Sequence, residues 1–580
     1  VSKLVRGSCG VLIAAGVVAV LLGQAGPAAQ TPAGGPASLV LRNGTIITVE
    51  DGAPEAKAVA VRGDRIIAVG SEADVQPYIG PGTKVIDLKG ATAIPGIIES
   101  HGHFMGTGEM KLGLDLMNVA NWDEVIAMVA DAARKAKPGQ WIEGRGWHQE
   151  KWNKVPVPAV EGFPIHDGLS RVSPDNPVVL SHASGHATFA NAKAMALAGI
   201  TRDTPNPSGG EILKDAAGNP IGVFRETASG LLARAEQAAR ASMTRQAREE
   251  EARRILQLAV DEALRHGITT FHDAGVSFDM ATFYKTEADA GRLGVRLYVM
   301  IRETNARLAQ HLATFRTIGY ASNHVTIRTI KVSIDGALGS RGAWLLTPYA
   351  DLDGATGLNT APVPGVHETA KLAMAHGYQM AVHAIGDRGN REALDIYEAA
   401  FKAHPDKQDV RWRIEHAQHL SLPDIPRFGK LKVIPAMQGV HCTSDAPYVL
   451  ARLGPQRAEE GAYVWQKLMQ SGATISNGTD TPVESISPMA SYYATVTRRL
   501  KDGTVFFGDQ KMTRLQALKS YTINGAYAAF EEGLKGSLKT GKLADITVLS
   551  NNLLTVPDDQ ILSTKVLYTI VGGQVRYEGK

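Results

Sequence analysis

The chain has 580 residues, about four times a typical single-core domain, so a large barrel or several domains is expected. Apolar residues make up 44% and charged residues 21%, which excludes disordered and fibrous classes. A net charge of +3 leaves no basic excess for a polyanion and argues against a nucleic-acid partner.

The chain opens with a pattern of export. Lys3 and Arg6 precede an unbroken small or apolar run at 11–22, followed by an Ala-, Gly- and Pro-rich stretch with a cleavage site near Ala28 or Ala29. The run is shorter than the ~20 residues that span a bilayer. A signal peptide at 1–29 is therefore expected, giving a periplasmic or secreted mature chain without stable membrane insertion. An uncleaved anchor is the alternative. Cys9 leaves with the leader, and Cys442, alone in the mature chain, cannot form an intramolecular disulfide. As a small apolar filler is the usual role of such a residue, Cys442 is read as packing.

Short apolar runs ending in polar residues, each followed by helix-like sequence, recur along the chain. They end near His101, Asp273, Ile301, 331–335, His383, His416, Gln438 and Asp480. From the second onward the spacing is about 30 to 50 residues, which suits the strand–helix repeat of a (β/α)8 TIM barrel, an α/β fold. Amphipathic helices are expected at 242–266, stopping at Gly267, and at 390–401. The first gap, about 160 residues after His103, is too long for one crossover and predicts an inserted α+β subdomain at about 105–240, with a strand near 178–180. Strand-and-turn patterns at 39–88, 543–550 and 566–579 predict a small β-sandwich-like domain built from both ends, 38–92 and 520–580, around a barrel domain of 93–519.

The polar residues at the strand ends form a constellation. His101 and His103, two apart, face one side of an extended chain and can converge on one ion. Barrel active sites lie at this end of the strands, and His383 and His416 occupy the same rim. Each of these alone suits a satisfied core histidine; together they offer four nitrogen donors. Asp480 could cap the following helix, or ligate an ion while taking a proton from an acidified water. Lys331 sits in the apolar stretch TIRTIKVSID, where an unpaired ammonium facing inward is costly. It either snorkels outward, pairs with Asp335, or has reacted with carbon dioxide to become an anionic carbamate. The histidine-rich donor set suits zinc.

Polar and aromatic candidates for substrate contact are Arg145, Trp147, His182 and His186 on the insertion and Arg341, His419, Gln438 and His441 on barrel loops. Core packing competes for the tryptophan, and structural ion pairs for the arginines. His272 and Asp273 read as residues that orient ligands.

The segments GIIESHGHF, WIEGRGW, SGHA, GITTFHDAG, IKVSIDGALGSR, HAIGDRG, RIEHAQ and GTDTPVES, in this order, resemble those of the amidohydrolase superfamily. The likeness is to the amidohydrolase-3 branch of N-substituted formamide deformylase-like and YtcJ-like metal-dependent hydrolases, and runs from about Leu39 to the C-terminus. It implies a metal-bearing barrel with a flanking β-domain and an insertion after the first strand. It places the ligands on His101, His103, Lys331 as carbamate, His383, His416 and Asp480, with Asp480 also the general base. The implied cofactors are two divalent ions, zinc by donor type, and carbon dioxide. The implied reaction is cleavage of a C–N bond of a small amide or formamide by attack of a hydroxide shared by the ions on the carbonyl carbon, with His186 the leading substrate contact. Ester, lactone or carbamate hydrolysis, a non-catalytic exported binding protein, and deamination on one ion are the alternatives; homodimerisation stays open. The chain departs from the branch at SGHA, where an acidic residue often precedes Gly-His, and at QGVHC, where Gln-Pro is usual.

Overall fold

A computed structural model describes residues 34–241 and 243–579. The leader expected at 1–29, with Cys9, lies outside these residues.

Eight parallel strands form the centre: β1 (Ile97–Gly102), β2 (Ile268–Val276), β3 (Arg296–Ile301), β4 (Val325–Ser333), β5 (Gln379–Ala384), β6 (Arg413–His416), β7 (Ile434–Gln438) and β8 (Ser476–Gly478). They pair in chain order, β1 to β2 and on to β8. The barrel closes at the C-terminal rim of the strands: the Asp480 N–H donates to the His101 carbonyl at 2.8 Å and the His103 N–H to the Thr481 carbonyl at 2.7 Å. Deeper in the same seam, the Glu99 carboxylate accepts from the N–H and hydroxyl of Thr479. The chain is therefore a TIM barrel with additional domains, and all eight expected strands are present.

The strands read as apolar runs because helices cover their outer face and side chains fill the inside. Every residue of β5 is buried, for example. The helix before β2, Arg245–Arg265, starts at Thr244, whose side chain accepts from the Ala247 N–H. It ends at Gly267, whose φ of +80° suits a residue without Cβ; a Cβ there would also meet Thr547. The helix expected at 390–401 spans Asp387–Ala403.

Between β1 and β2 the chain builds a six-stranded sheet, ordered Gly210–Lys214, Pro220–Glu226, Ala187–Ala190, Val178–His182, Ile142–Trp147, Leu114–Asp115. It has its own apolar core around Trp122, Trp147, Leu180 and Phe189.

The two ends of the chain meet in another six-stranded sheet, where Ile546–Leu549 pairs antiparallel with Thr92–Pro95. A four-stranded sheet containing Leu39–Arg42 packs on it through Leu41, Ile46, Val59 and Ile546. The segment after 520 serves the barrel first. Tyr521 accepts from the Ile98 N–H, Asn524 bonds the Ile475 carbonyl, and Gly525 lies against Ser100 and Ile98. Only from about Leu538 does the C-terminal part join the small β-sheets.

Candidate metal centre

The C-terminal ends of the strands bring His101 and His103 from β1, Lys331 from β4, His383 from β5, His416 from β6 and Asp480 from the turn after β8 around one cleft of about 750 Å³. Register explains the convergence: Ser333 lies beside His383, and Ala384 beside His416. The His101 and His416 rings are 4.7 Å apart and those of His383 and His416 4.5 Å. His101 Nε2 and His103 Nε2 lie 3.5 and 3.3 Å from Asp480 Oδ1, and His416 Nδ1 lies 4.0 Å from Oδ2.

The approach is close, yet hydrogen bonding is incomplete. Asp480 Oδ1 and His383 Nε2 are buried without a hydrogen bond among the described residues. Such orphaned atoms cost free energy unless something else satisfies them. His101, His103 and Asp480 offer ligating atoms within 4.8 Å of one another. The donor set therefore fits a cation.

Neighbouring side chains set the histidine tautomers. Glu415 receives the Nδ1 hydrogen of His101, and Arg413 grips the same carboxylate at 2.7 Å. Gln438 Oε1 accepts from His416 Nδ1 at 2.8 Å. In both rings the proton is held on Nδ1 and Nε2 keeps its lone pair, the arrangement a metal ligand needs.

Burial holds His101 and His383 well below the ordinary imidazole range, and nearby cationic groups push the same way. Burial also takes His416 down to about 3. Burial opposes the charge on Asp480, but the histidines outweigh it and hold the carboxyl well below its usual range. Lys331 is 3% exposed and makes no hydrogen bond or ion pair among the described residues; burial brings it down to about 8. It does not pair with Asp335, whose oxygens accept the N–H groups of Ile385, Gly386 and Trp344.

The backbone is strained here. His416 (φ +76°), Asp480 (+59°) and Glu226 (+52°) lie in the left-handed region, which costs a residue with a Cβ free energy.

The other expected contacts divide. His186 and Arg145 line the cleft. The Glu226 carboxylate accepts from His186 Nδ1 at 2.7 Å; burial lowers this imidazole, but Glu226 outweighs it and leaves the pKa raised. Arg145 spans from the insertion to the barrel, donating to the carbonyls of Pro482 and Ala183. His441 lines a small inner compartment beside His416 and Asp480. Three others do not line the cleft. Trp147 is wholly buried in the core of the insertion, its indole N–H on the Leu180 carbonyl. Arg341 pairs with Asp351 away from the cleft. Gln438 is occupied by His416. Of the remaining candidates, His182 is held by Ser184 and Gln149, while both ring nitrogens of the buried His419 lack a hydrogen bond among the described residues. His272 meets Arg413, and Asp273 bonds the Phe104 N–H and the Tyr284 hydroxyl, fixing the helix that starts beside His103.

Glu415 and Glu226 were missed by the sequence reading. Glu415 left a signal: a carboxylate alternating with Arg413 in a buried strand must be paired across the barrel interior. Glu226 left none, because its partner comes from 40 residues away in the insertion.

A histidine-rich, carboxylate-bearing rim on a closed parallel barrel defines a metal-dependent hydrolase. The amidohydrolase family model matches residues 84–577. Protein LONG AFTER FAR-RED 3 of Arabidopsis thaliana is 33% identical over 94% of this chain and 92% of its own length. The N-substituted formamide deformylase of Arthrobacter pascens is 28% identical over 93% and 98%. Among solved structures, an uncharacterized metal-dependent hydrolase from Pyrococcus horikoshii OT3 superposes with a TM-score of 0.70 at 24% identity, covering 90% of this chain and 99% of that one. The chain belongs to the amidohydrolase family, in its amidohydrolase-3 branch.

Proposed function

We propose that the protein hydrolyses a C–N bond in a small amide, N-substituted formamide or related compound, using two zinc ions. The carrying observation is the convergence of four imidazoles, Asp480 and an unpaired buried Lys331 on one cleft. His101, His103, Lys331 as its carbamate, His383, His416 and Asp480 would hold the ions. When bound, divalent cations supply Lewis acidity, polarising a carbonyl oxygen and acidifying water.

The chain's residues supply the rest. A lysine brought down to about 8 is neutral far more often near neutrality than an ordinary one. The neutral amine attacks the carbon of carbon dioxide, the N–C bond forms and one proton leaves, giving a carboxylate-like anion. Glu415 and Gln438 hold His101 and His416 with Nε2 unprotonated. Asp480, an anion at neutral pH, accepts the proton of the attacking water and delivers it to the departing nitrogen. The open side of the cleft takes the amine portion, beside Arg145 and His186. The likeness to an N-substituted formamide deformylase supports this choice of bond.

The test is zinc analysis of the purified protein with a hydrolysis screen over matched N-formyl, N-acyl and ester compounds. Lys331→Ala is expected to lose zinc and rate together, with partial recovery on adding short carboxylic acids. Full zinc content in that variant without such addition overturns the carbamate assignment. Preference for esters over their matched amides overturns the choice of bond.

A further inference from the structure

The metal ligands do not account for His441. It lies in the first turn of the helix Gly439–Leu453, directly after β7, and is 5% exposed. Its ring stands 6.2 Å from that of His416 with the planes 13° apart, and its ligating atom lies within 4.8 Å of those of His416 and Asp480. Distance alone would make it another ligand. Its hydrogen bonding indicates otherwise. Gln418 Nε2 approaches His441 Nδ1 at 2.8 Å. An amide nitrogen only donates, so Nδ1 accepts, and the ring hydrogen lies on Nε2. That Nε2 is buried and has no hydrogen-bond partner among the described residues. His441 lines the inner compartment, which also borders Asp480. An N–H cannot ligate a cation, but it can meet an oxygen that is becoming negative. The N-terminal end of the helix adds positive potential at the same place.

We propose that His441 is a catalytic residue that donates its Nε2 hydrogen to the substrate carbonyl oxygen as that oxygen gains charge during addition of water. The imidazole keeps its proton throughout; only a hydrogen bond forms and strengthens. The inference rests on the hydrolytic reading above.

Three measurements on the full chain test it. Long-range proton–nitrogen correlation of ¹⁵N-histidine-labelled protein, with His441 assigned by its loss in His441→Gln, is expected to show the Nε2–H tautomer both without and with added zinc. His441→Ala is expected to keep the wild-type zinc content. On N-benzylformamide or phenyl acetate its kcat should fall on the order of 100-fold, with KM changed less than about three-fold. His441→Gln, which restores a donor near the Nε2 position, should recover about ten-fold of that loss. Loss of zinc in His441→Ala, or an Nε2 resonance without its hydrogen in the zinc-loaded protein, overturns the proposal by making His441 a ligand. A kcat within about two-fold of wild type overturns it as well. A wild-type protein that binds zinc but hydrolyses neither compound overturns the hydrolytic reading, and the tautomer measurement then still decides whether His441 offers a donor.

Discussion

Asp480 holds its position against its own backbone preference. Its φ of +59° costs free energy for a residue with a Cβ, and its Oδ1 is buried without a hydrogen bond. Both penalties are offset if this atom is needed facing His101 and His103. Asp480→Asn keeps the shape and one oxygen but cannot accept the proton, so kcat should fall by about 10²–10⁴ while zinc stays bound. Steady-state kinetics with elemental analysis of the same sample checks both, and near-normal turnover would remove Asp480 as the base. Glu415 acts through His101: it does not itself line the cleft but decides which imidazole nitrogen carries hydrogen.

A buried ion pair crosses the joint between barrel and terminal β-sheets. Arg296, opening β3, meets Asp545 at 2.8 and 3.0 Å, and the Gly572 N–H binds the same carboxylate. Burial alone would raise the Asp545 carboxyl, but Arg296 outweighs it and the pKa is lowered. Removing the carboxylate strands a buried guanidinium, so Asp545→Ala should destabilise by about 3–5 kcal/mol in urea or thermal unfolding. A difference under about 1 kcal/mol would show that water replaces the carboxylate. The acid dependence has a definite sign. A depressed folded pKa contributes stability above the unfolded value, ~3.9, which is lost as pH falls through the folded value. The wild-type protein should therefore shed this contribution below about pH 4, and the variant should not.

For the molecule as a whole, the centre ties together elements far apart in the chain, from β1 to the turn after β8. A cation that binds only the folded state stabilises it by about 2.7 kcal/mol at a hundred times its dissociation constant. Chelation should therefore lower the melting temperature, and zinc should restore it. A melting curve indifferent to both would count against a cation bridging these strands. Among the described residues no helix is long and apolar enough to cross a membrane.

Local pattern was enough for the barrel, because each parallel strand is buried on both faces and must be written as an apolar run with polar residues at its end. Two histidines spaced by one residue, and a lysine inside such a run, announce themselves the same way, since extended-chain period and the cost of burying charge are local properties. Partnership is different. That Trp147 fills the core of the insertion, that Gln438 serves His416, that Glu226 holds His186, and that the segment after 520 supports the barrel before it enters the β-sheets, all depend on contacts between residues tens to hundreds of positions apart. No periodicity carries that information; only the folded arrangement decides which polar atoms meet and which are left, like His441 Nε2, without a partner.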